Sequence, residues 1–284
     1  MQGVMIQGTA SNVGKSLLTA ALCRLFAEKG YSAAPFKAQN MSNRTIQTED
    51  GKEMSIAQFQ QARAAKLTPS VFMNPIVLKP SESFQTEVIL MGEKINTISG
   101  GDYKKTYYNE ARQTIQVALN QLDRQYDFIF LEGAGSPVEM NLKERDLANM
   151  TVAEMADVPV ILVADIDRGG AFASIVGTLA LLTQEERNRV KGLVINKFRG
   201  NIASFASGSE WLENHTGIPV LGVVPYVNHD LAEEDSMEGF DTPGAHTFHS
   251  TDNDATYEHL ARQLEKHVDW EKLESLMLGE QDAS

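Results

Sequence analysis

Short apolar runs rich in β-branched residues alternate with amphipathic stretches along most of the chain. The runs occupy residues 4–6, 88–91, 128–131, 158–163, 193–195 and 220–224. Helical spacing of apolar residues lies between most of them, near residues 16–29, 54–66, 107–124, 149–156, 171–182 and 253–277. Apolar strands separated by helices are typical of parallel sheets covered on both faces. The pattern therefore predicts an α/β fold with a doubly wound, mostly parallel sheet and helices on both faces.

The same pattern divides the chain into three parts. Residues 1–228 are expected to form one domain. Residues 229–252, rich in Asp, Glu, Gly and His, are expected to be a loop or linker. Residues 253–284 return to helical spacing, so we expect a C-terminal helical segment that packs on the domain.

Composition and charge narrow the classes of function. With 284 residues and 42% hydrophobic content, the chain can bury a sizeable core. Its net charge of -13 argues against a nucleic-acid partner. No apolar run reaches the roughly 18 residues that a membrane span requires, so no membrane partner is expected. The single cysteine, Cys23, leaves no internal disulfide and fits a cytoplasmic location.

In doubly wound sheets, ligands bind beyond the carboxyl ends of the strands. The first run is followed there by Gly8-Thr9-Ala10-Ser11-Asn12-Val13-Gly14-Lys15-Ser16 and a helical pattern from Leu17. A polyphosphate needs backbone N–H donors at a helix N-terminus, a lysine for the outer phosphates and a hydroxyl for Mg²⁺. We therefore expect a nucleotide to bind at Gly8, Thr9, Asn12, Val13, Gly14, Lys15, Ser16 and Leu17. The loop is one residue longer than the usual P-loop.

Other strand ends also carry candidate chemistry. Glu132 is a hard oxygen ligand expected to share Mg²⁺ with Ser16, unless it only caps a turn. Lys37 could hold a transferring phosphoryl group or an acidic substrate, or be an ordinary surface lysine. Asn196 suits the edge of a purine, although a turn asparagine explains it nearly as well.

A second polar loop follows the run at residues 158–163. It contains Asp165, Asp167 and Arg168, with two glycines ahead of a helix. The paired acids could hold a second metal or position ammonia, and the helix N-terminus could receive a carboxylate. The alternative is that an aspartate simply caps the helix.

Several strings together point to a family. They lie at residues 7–16, 35–41, 73–80, 131–137, 141–142, 165–172, 176–182 and 194–200, and they include Phe36-Lys37-Ala38-Gln39-Asn40-Met41 and Asp165-Ile166-Asp167-Arg168-Gly169-Gly170. On these residues the chain resembles the synthetase domain of cobyric acid synthases, in the dethiobiotin-synthetase-like branch of the P-loop proteins.

The resemblance implies an activity and a set of residue roles. The activity is ATP- and Mg²⁺-dependent amidation of peripheral carboxylates on a corrinoid, adenosylcobyrinic acid a,c-diamide, through acyl phosphates in cobalamin biosynthesis. The implied catalytic residues are Lys15, Lys37, Asp165 and Asp167. Ser16, Glu53 and Glu132 would hold Mg²⁺, Asn196 would read adenine, and Gln39, Asn40, Gly133 and Arg168 would face the substrate.

The chain departs from the family pattern at three places. Residues 42–45 read Ser-Asn-Arg-Thr where the family has Ala-Leu-Asn-Ser, and residues 53–58 lose an arginine. We also expect no glutaminase domain within this chain. Ammonia would then come from a glutaminase domain or subunit elsewhere, or from solution. The resemblance also allows a homodimer.

Two alternatives stay open at this point. One is a related carboxylate-activating ligase, either dethiobiotin-synthetase-like or an amidase of another acid. The other is a switch ATPase of the positioning type, which shares the extended loop and the sheet. Those ATPases carry an additional lysine early in the loop, where this chain has Ala10 and Ser11.

Overall fold

The computed structural model of the protein describes residues 1–80, 85–99, 107–228 and 254–279. Its strands are β1 Gly3–Gly8, β2 Ala33–Phe36, β3 Gln39–Met41, β4 Thr45–Gln47, β5 Glu53–Ser55, β6 Ile76–Pro80, β7 Gln85–Leu90, β8 Glu93–Ser99, β9 Phe128–Glu132, β10 Val160–Asp165, β11 Val190–Phe198 and β12 Val220–Pro225. Its helices are α1 Lys15–Glu28, α2 Ile56–Ala64, α3 Tyr108–Gln125, α4 Met150–Ala156, α5 Ala171–Leu181, α6 Gln184–Arg189, α7 Ala206–Thr216, α8 Asp254–His267 and α9 Trp270–Leu278.

The main sheet has six parallel strands in the order β12-β11-β10-β1-β9-β2. Each face of this sheet packs against a separate hydrophobic core. Met5 on β1 belongs to the core that includes residues of α3, α4 and α5, whereas Val4 and Ile6 pack with α1, α8 and α9. The predicted doubly wound, mostly parallel α/β fold is confirmed.

A smaller four-stranded sheet, β3-β6-β7-β8, lies beside the main one. The run at residues 88–91, expected in the parallel sheet, instead lies in antiparallel β7. That placement was wrong because an apolar run alone does not show which sheet a strand joins. The segment that leads into β6 is bonded to Lys37, the residue after β2: the Lys37 N–H donates to Met73 O at 2.9 Å, and its carbonyl accepts from Asn74 Nδ2 at 3.0 Å.

Several helix boundaries differ from the sequence pattern for local reasons. Helix α2 begins at Ile56, because Glu53–Ser55 forms a hairpin strand and the Ser55 hydroxyl caps the helix at the Ala57 N–H. The C-terminal pattern breaks into α8 and α9 where Asp269 caps α9 and its N–H donates to Leu221 O. Helix α7 escaped prediction because it buries only Leu212 and Thr216.

Helices α8 and α9 lie on the α1 face of the main sheet. The expected linker, residues 229–252, lies outside the described residues. Among the helices that are described, none is long and apolar enough to cross a membrane.

Candidate functional site

The loop between β1 and α1 is shaped by its glycines. Gly14 has φ 99° and precedes the first turn of α1. A Cβ on Gly8 would lie 2.6 Å from Val13 Cγ2 and 2.8 Å from Ala10 O, so only glycine fits. Asn12 also adopts a positive φ, 57°. Thr9 N–H donates to Val163 O at 2.9 Å, which joins the loop to β10.

Lys15 lies folded over this loop. It is only 3% exposed, and its Nζ donates to Ala10 O at 3.2 Å and to Gly135 O at 3.3 Å. Two carbonyl oxygens thus hold the ammonium at the loop. The charge therefore stays at the N-terminus of α1, where an anion is favoured.

Glu132 is the centre of a buried polar cluster at the end of β9. Its Oε1 accepts from Ser16 Oγ at 2.7 Å and from Lys37 Nζ at 3.1 Å, and its Oε2 accepts from Gln61 Nε2 at 2.7 Å. Burial opposes ionisation, but the Lys37 charge and the hydrogen bonds from Ser16 and Gln61 outweigh it and hold the pKa of Glu132 below its usual range. Three predicted residues, Ser16, Lys37 and Glu132, thus meet at one carboxylate.

Gln61 and Gln58 were missed by the sequence analysis. Gln61 Nε2 bonds both Glu132 and Ser16 O, the latter at 3.2 Å, while Gln58 Nε2 reaches Gln61 Oε1 at 3.5 Å. Asn40 Nδ2 donates to Gln58 Oε1 at 2.9 Å. These contacts link the predicted substrate residue Asn40 to Glu132. The available signal was a pair of glutamines at i and i+3 on the buried face of a helix.

Asn196 lies against the phosphate loop. Its Nδ2 donates to Val13 O at 2.8 Å, and a Cβ on Gly14 would lie 2.2 Å from that nitrogen. The nitrogen is thereby fixed toward the loop, so Oδ1 can serve a ligand only as an acceptor. Lys197, also missed from the sequence, donates from Nζ to Asn12 O.

Both predicted acids of the second polar loop are engaged in ion pairs. Asp165 Oδ2 lies 3.2 Å from Lys197 Nζ and 3.9 Å from Arg168 Nε. Asp167 makes a two-pronged contact with Arg199, at 2.7 and 3.2 Å. Through Lys197, Asp165 therefore supports the phosphate loop. The catalytic roles of the two aspartates and the substrate role of exposed Arg168 remain predictions.

Gln39 and Gly133 are the other candidate substrate residues. Among the described residues, the buried Oε1 of Gln39 has no hydrogen-bond partner, so it offers an acceptor to a ligand. A Cβ on Gly133 would lie 2.3 Å from Asn149 Oδ1, so packing already requires glycine there. Its substrate contact stays a prediction.

The residues present fit a Mg²⁺ ion at Ser16 and Glu132, since a hydroxyl and an ionised carboxylate are the hard oxygen donors that this ion prefers. Glu53 is placed differently. It accepts from Thr45 Oγ1 and from Lys79 Nζ, the latter at 2.7 Å, and these contacts do not join it to Ser16 or Glu132. Glu53 as a metal ligand stays a prediction. Within the described ranges, no group of three or more His, Cys, Asp or Glu side chains could hold a metal by itself.

A cleft extends from the phosphate loop along α1. Its walls come from α1, α2, α8 and the ends of β11 and β12. Apolar lining is provided by Leu17, Leu18, Val224, Leu260 and Leu264, and polar groups by Asn196, Gln60 and Gln263. An apolar slot with a few polar groups is typical of a small-ligand site.

A parallel sheet with a glycine-bounded loop and Lys-Ser at the start of α1 defines a P-loop nucleotide-binding domain. The family model described as the CobQ/CobB/MinD/ParA nucleotide binding domain matches residues 4–238. The chain belongs to that family.

Curated relatives include the cobyric acid synthase of Salmonella gallinarum, which is 55% identical over 239 residues, 83% of this chain and 47% of the relative. The cobyric acid synthases of Salmonella dublin and Salmonella typhimurium are also 55% identical, covering 83% of this chain and 46% of theirs. The resemblance to cobyric acid synthases is thus confirmed. This chain spans about half the length of these relatives.

Solved structures that match include chloroplast FtsY from Physcomitrella patens, at 14% identity and a TM-score of 0.46, covering 82% of this chain and 60% of that one. A likeness of that size carries no argument about function.

Proposed function

We propose that this chain is an ATP-dependent carbon-nitrogen ligase that activates peripheral carboxylates of a corrinoid for amidation, as the synthetase part of a cobyric acid synthase. The observation that carries the proposal is the cluster at Glu132, where Ser16 and Lys37 meet beside the phosphate loop. The family includes both amidases and positioning ATPases, and the 55% identity to cobyric acid synthases favours the amidase.

The base of the nucleotide is proposed to be adenine. Asn196 Nδ2 is committed to Val13 O, so its Oδ1 accepts a hydrogen bond from the ligand. Adenine presents an amino donor at its six position, whereas guanine presents an oxygen acceptor there. An acceptor at Asn196 therefore favours ATP over GTP.

In the first step, a substrate carboxylate oxygen attacks the γ-phosphorus of ATP, the bond to the β-phosphate oxygen breaks, and ADP leaves. In the second step, ammonia attacks the carbonyl carbon of the acyl phosphate, phosphate leaves with the carbonyl–oxygen bonding pair, and the nitrogen loses a proton. Neither step forms a covalent bond to the protein, so the protein contributes positioning and charge neutralisation. Bound Mg²⁺ would neutralise phosphate charge.

The two lysines would neutralise different parts of the phosphate charge. Lys15, held by two carbonyl oxygens at the loop, would lie on the β- and γ-phosphates. Lys37 reaches the cluster from β2 and would follow the phosphoryl group to the carboxylate. Because Lys37 already pairs with Glu132, its ammonium is held in place before the reaction begins.

The nitrogen is proposed to arrive as ammonia, from a glutaminase domain or subunit or from solution. The assay therefore incubates the chain with MgATP, ammonium chloride and adenosylcobyrinic acid a,c-diamide, and follows ADP release and the mass of the corrinoid. We expect stepwise conversion of acid to amide. Lys37→Ala should abolish it, while Lys191→Ala, an exposed lysine on β11, should not. ATP hydrolysis without any mass change would favour a switch ATPase and refute the proposal.

A further inference from the structure

We propose that helix α8 completes the nucleotide site and that Gln263 is a contact residue for the base. The inference rests on the proposed function, because it takes the cleft beside α1 to be the place of the nucleotide. It concerns a part of the chain outside the region that the family model matches, since that region ends at residue 238 and α8 begins at Asp254.

The cleft-facing side of α8 is formed by Leu260, Gln263 and Leu264. Their spacing of i, i+3 and i+4 places them on one face of the helix. Leu260 and Leu264 are buried with Leu18 of α1, whereas Arg262 lies elsewhere on the helix with its side chain 67% exposed. The wall of the cleft is therefore a defined face of α8.

An ion-pair cluster around the buried Arg24 fixes α8 against α1. The Arg24 side chain is fully buried, and its guanidinium lies 2.7 Å from Asp254 Oδ1 and 3.7 Å from Glu258 Oε1, both on α8. It also pairs with Glu28 at 3.1 Å. A buried guanidinium is tolerated only with such partners, so the position of α8 is tied to the helix that carries the phosphate loop.

Two amides in the cleft are available to a ligand. The side chains of Gln60 on α2 and Gln263 on α8 line it, and neither forms a hydrogen bond within the part of the chain that the structure describes. A glutamine amide carries both donors and acceptors, as the edge of an adenine does. Between apolar walls, the base can lie flat while Gln263 bonds its edge.

The test uses calorimetric titration of the intact chain with two probes, MgATP and inorganic tripolyphosphate. The second probe has the phosphates without the base. Gln263→Leu should weaken MgATP binding about five- to tenfold and leave tripolyphosphate binding unchanged. Gln113→Leu, which changes an exposed glutamine of α3, is the matched control and should alter neither.

Each result has a distinct meaning. MgATP binding of Gln263→Leu equal to that of the unaltered chain would overturn the base contact. An equal loss for both probes would also overturn it, because the helix would then act only through packing. If the unaltered chain binds tripolyphosphate but not MgATP, or neither probe, the proposed function itself fails.

Discussion

Replacing Glu132 by glutamine is expected to destabilise the protein strongly at neutral pH. The substitution keeps the size of the side chain and removes its charge, which leaves the Lys37 ammonium, only 3% exposed, without its carboxylate. Gln61 also donates to Oε2, so whichever way the new amide lies, at least one donor loses its acceptor. Breaking a buried pair from one side costs about 3–5 kcal/mol.

The assay is urea unfolding at pH 7. With an m-value of about 3 kcal/mol per molar urea, the midpoint of Glu132→Gln should fall by about 1 to 1.7 M. Glu139→Gln, at an exposed position, is the control and should leave the midpoint unchanged. The double variant Lys37→Met with Glu132→Gln should recover much of the loss, because both charges of the buried pair are then removed together.

The pH dependence provides a second measurement. The folded protein holds the pKa of Glu132 below its ordinary value of 4.5, so the ionised carboxylate stabilises the fold above that pH. As pH falls below 4.5 and through the folded pKa, this contribution is lost from the unaltered protein, while the glutamine variant has none to lose. The gap between the two should narrow with acid. Two results would contradict the role given to the Glu132 carboxylate. One is a difference in unfolding free energy between the two proteins under about 1 kcal/mol at pH 7, and the other is a difference that stays constant down to pH 3.

Three further substitutions test separate parts of the site. Lys15→Met should weaken MgATP binding about 10- to 100-fold in calorimetric titration, since a charge-assisted phosphate contact is lost; unchanged affinity would contradict its role. Gly14→Ala should lower thermal stability more than Gly30→Ala: both have positive φ, 99° and 89°, but only the first Cβ meets Asn196. Equal losses of thermal stability in the two variants would mean that Asn196 moves aside without cost. Asp167→Asn should leave the urea midpoint essentially unchanged, because the partly exposed pair with Arg199 is screened by water; a clear fall of the midpoint would show a structural role.

The sheet was predictable because its strands are buried on both faces and therefore read as apolar runs. The smaller sheet was not, since β8 is mostly exposed and β7 pairs with it through residues such as Glu87 and Thr97. Helix α7 buries few residues, so its sequence shows little of the apolar periodicity that predicts a helix.

At the site, the residues at strand ends were the predictable ones, because parallel strands bring them to one edge. Ser16, Lys37 and Glu132 meet there as the sequence indicated. Gln61 and Gln263 were not found, because they lie on helices whose approach to that edge depends on long-range packing.

The Arg24 cluster has a consequence for how the chain folds. Arg24 and Asp254 are separated by 230 residues, so the buried guanidinium meets its partners on α8 only after nearly the whole described chain has been made. Until then, the Arg24 charge on α1 lacks the carboxylates of α8, which have not yet been synthesised. Because contacts of such long sequence separation form late, the helix that presents the phosphate loop reaches its final packing only after α8 has been made.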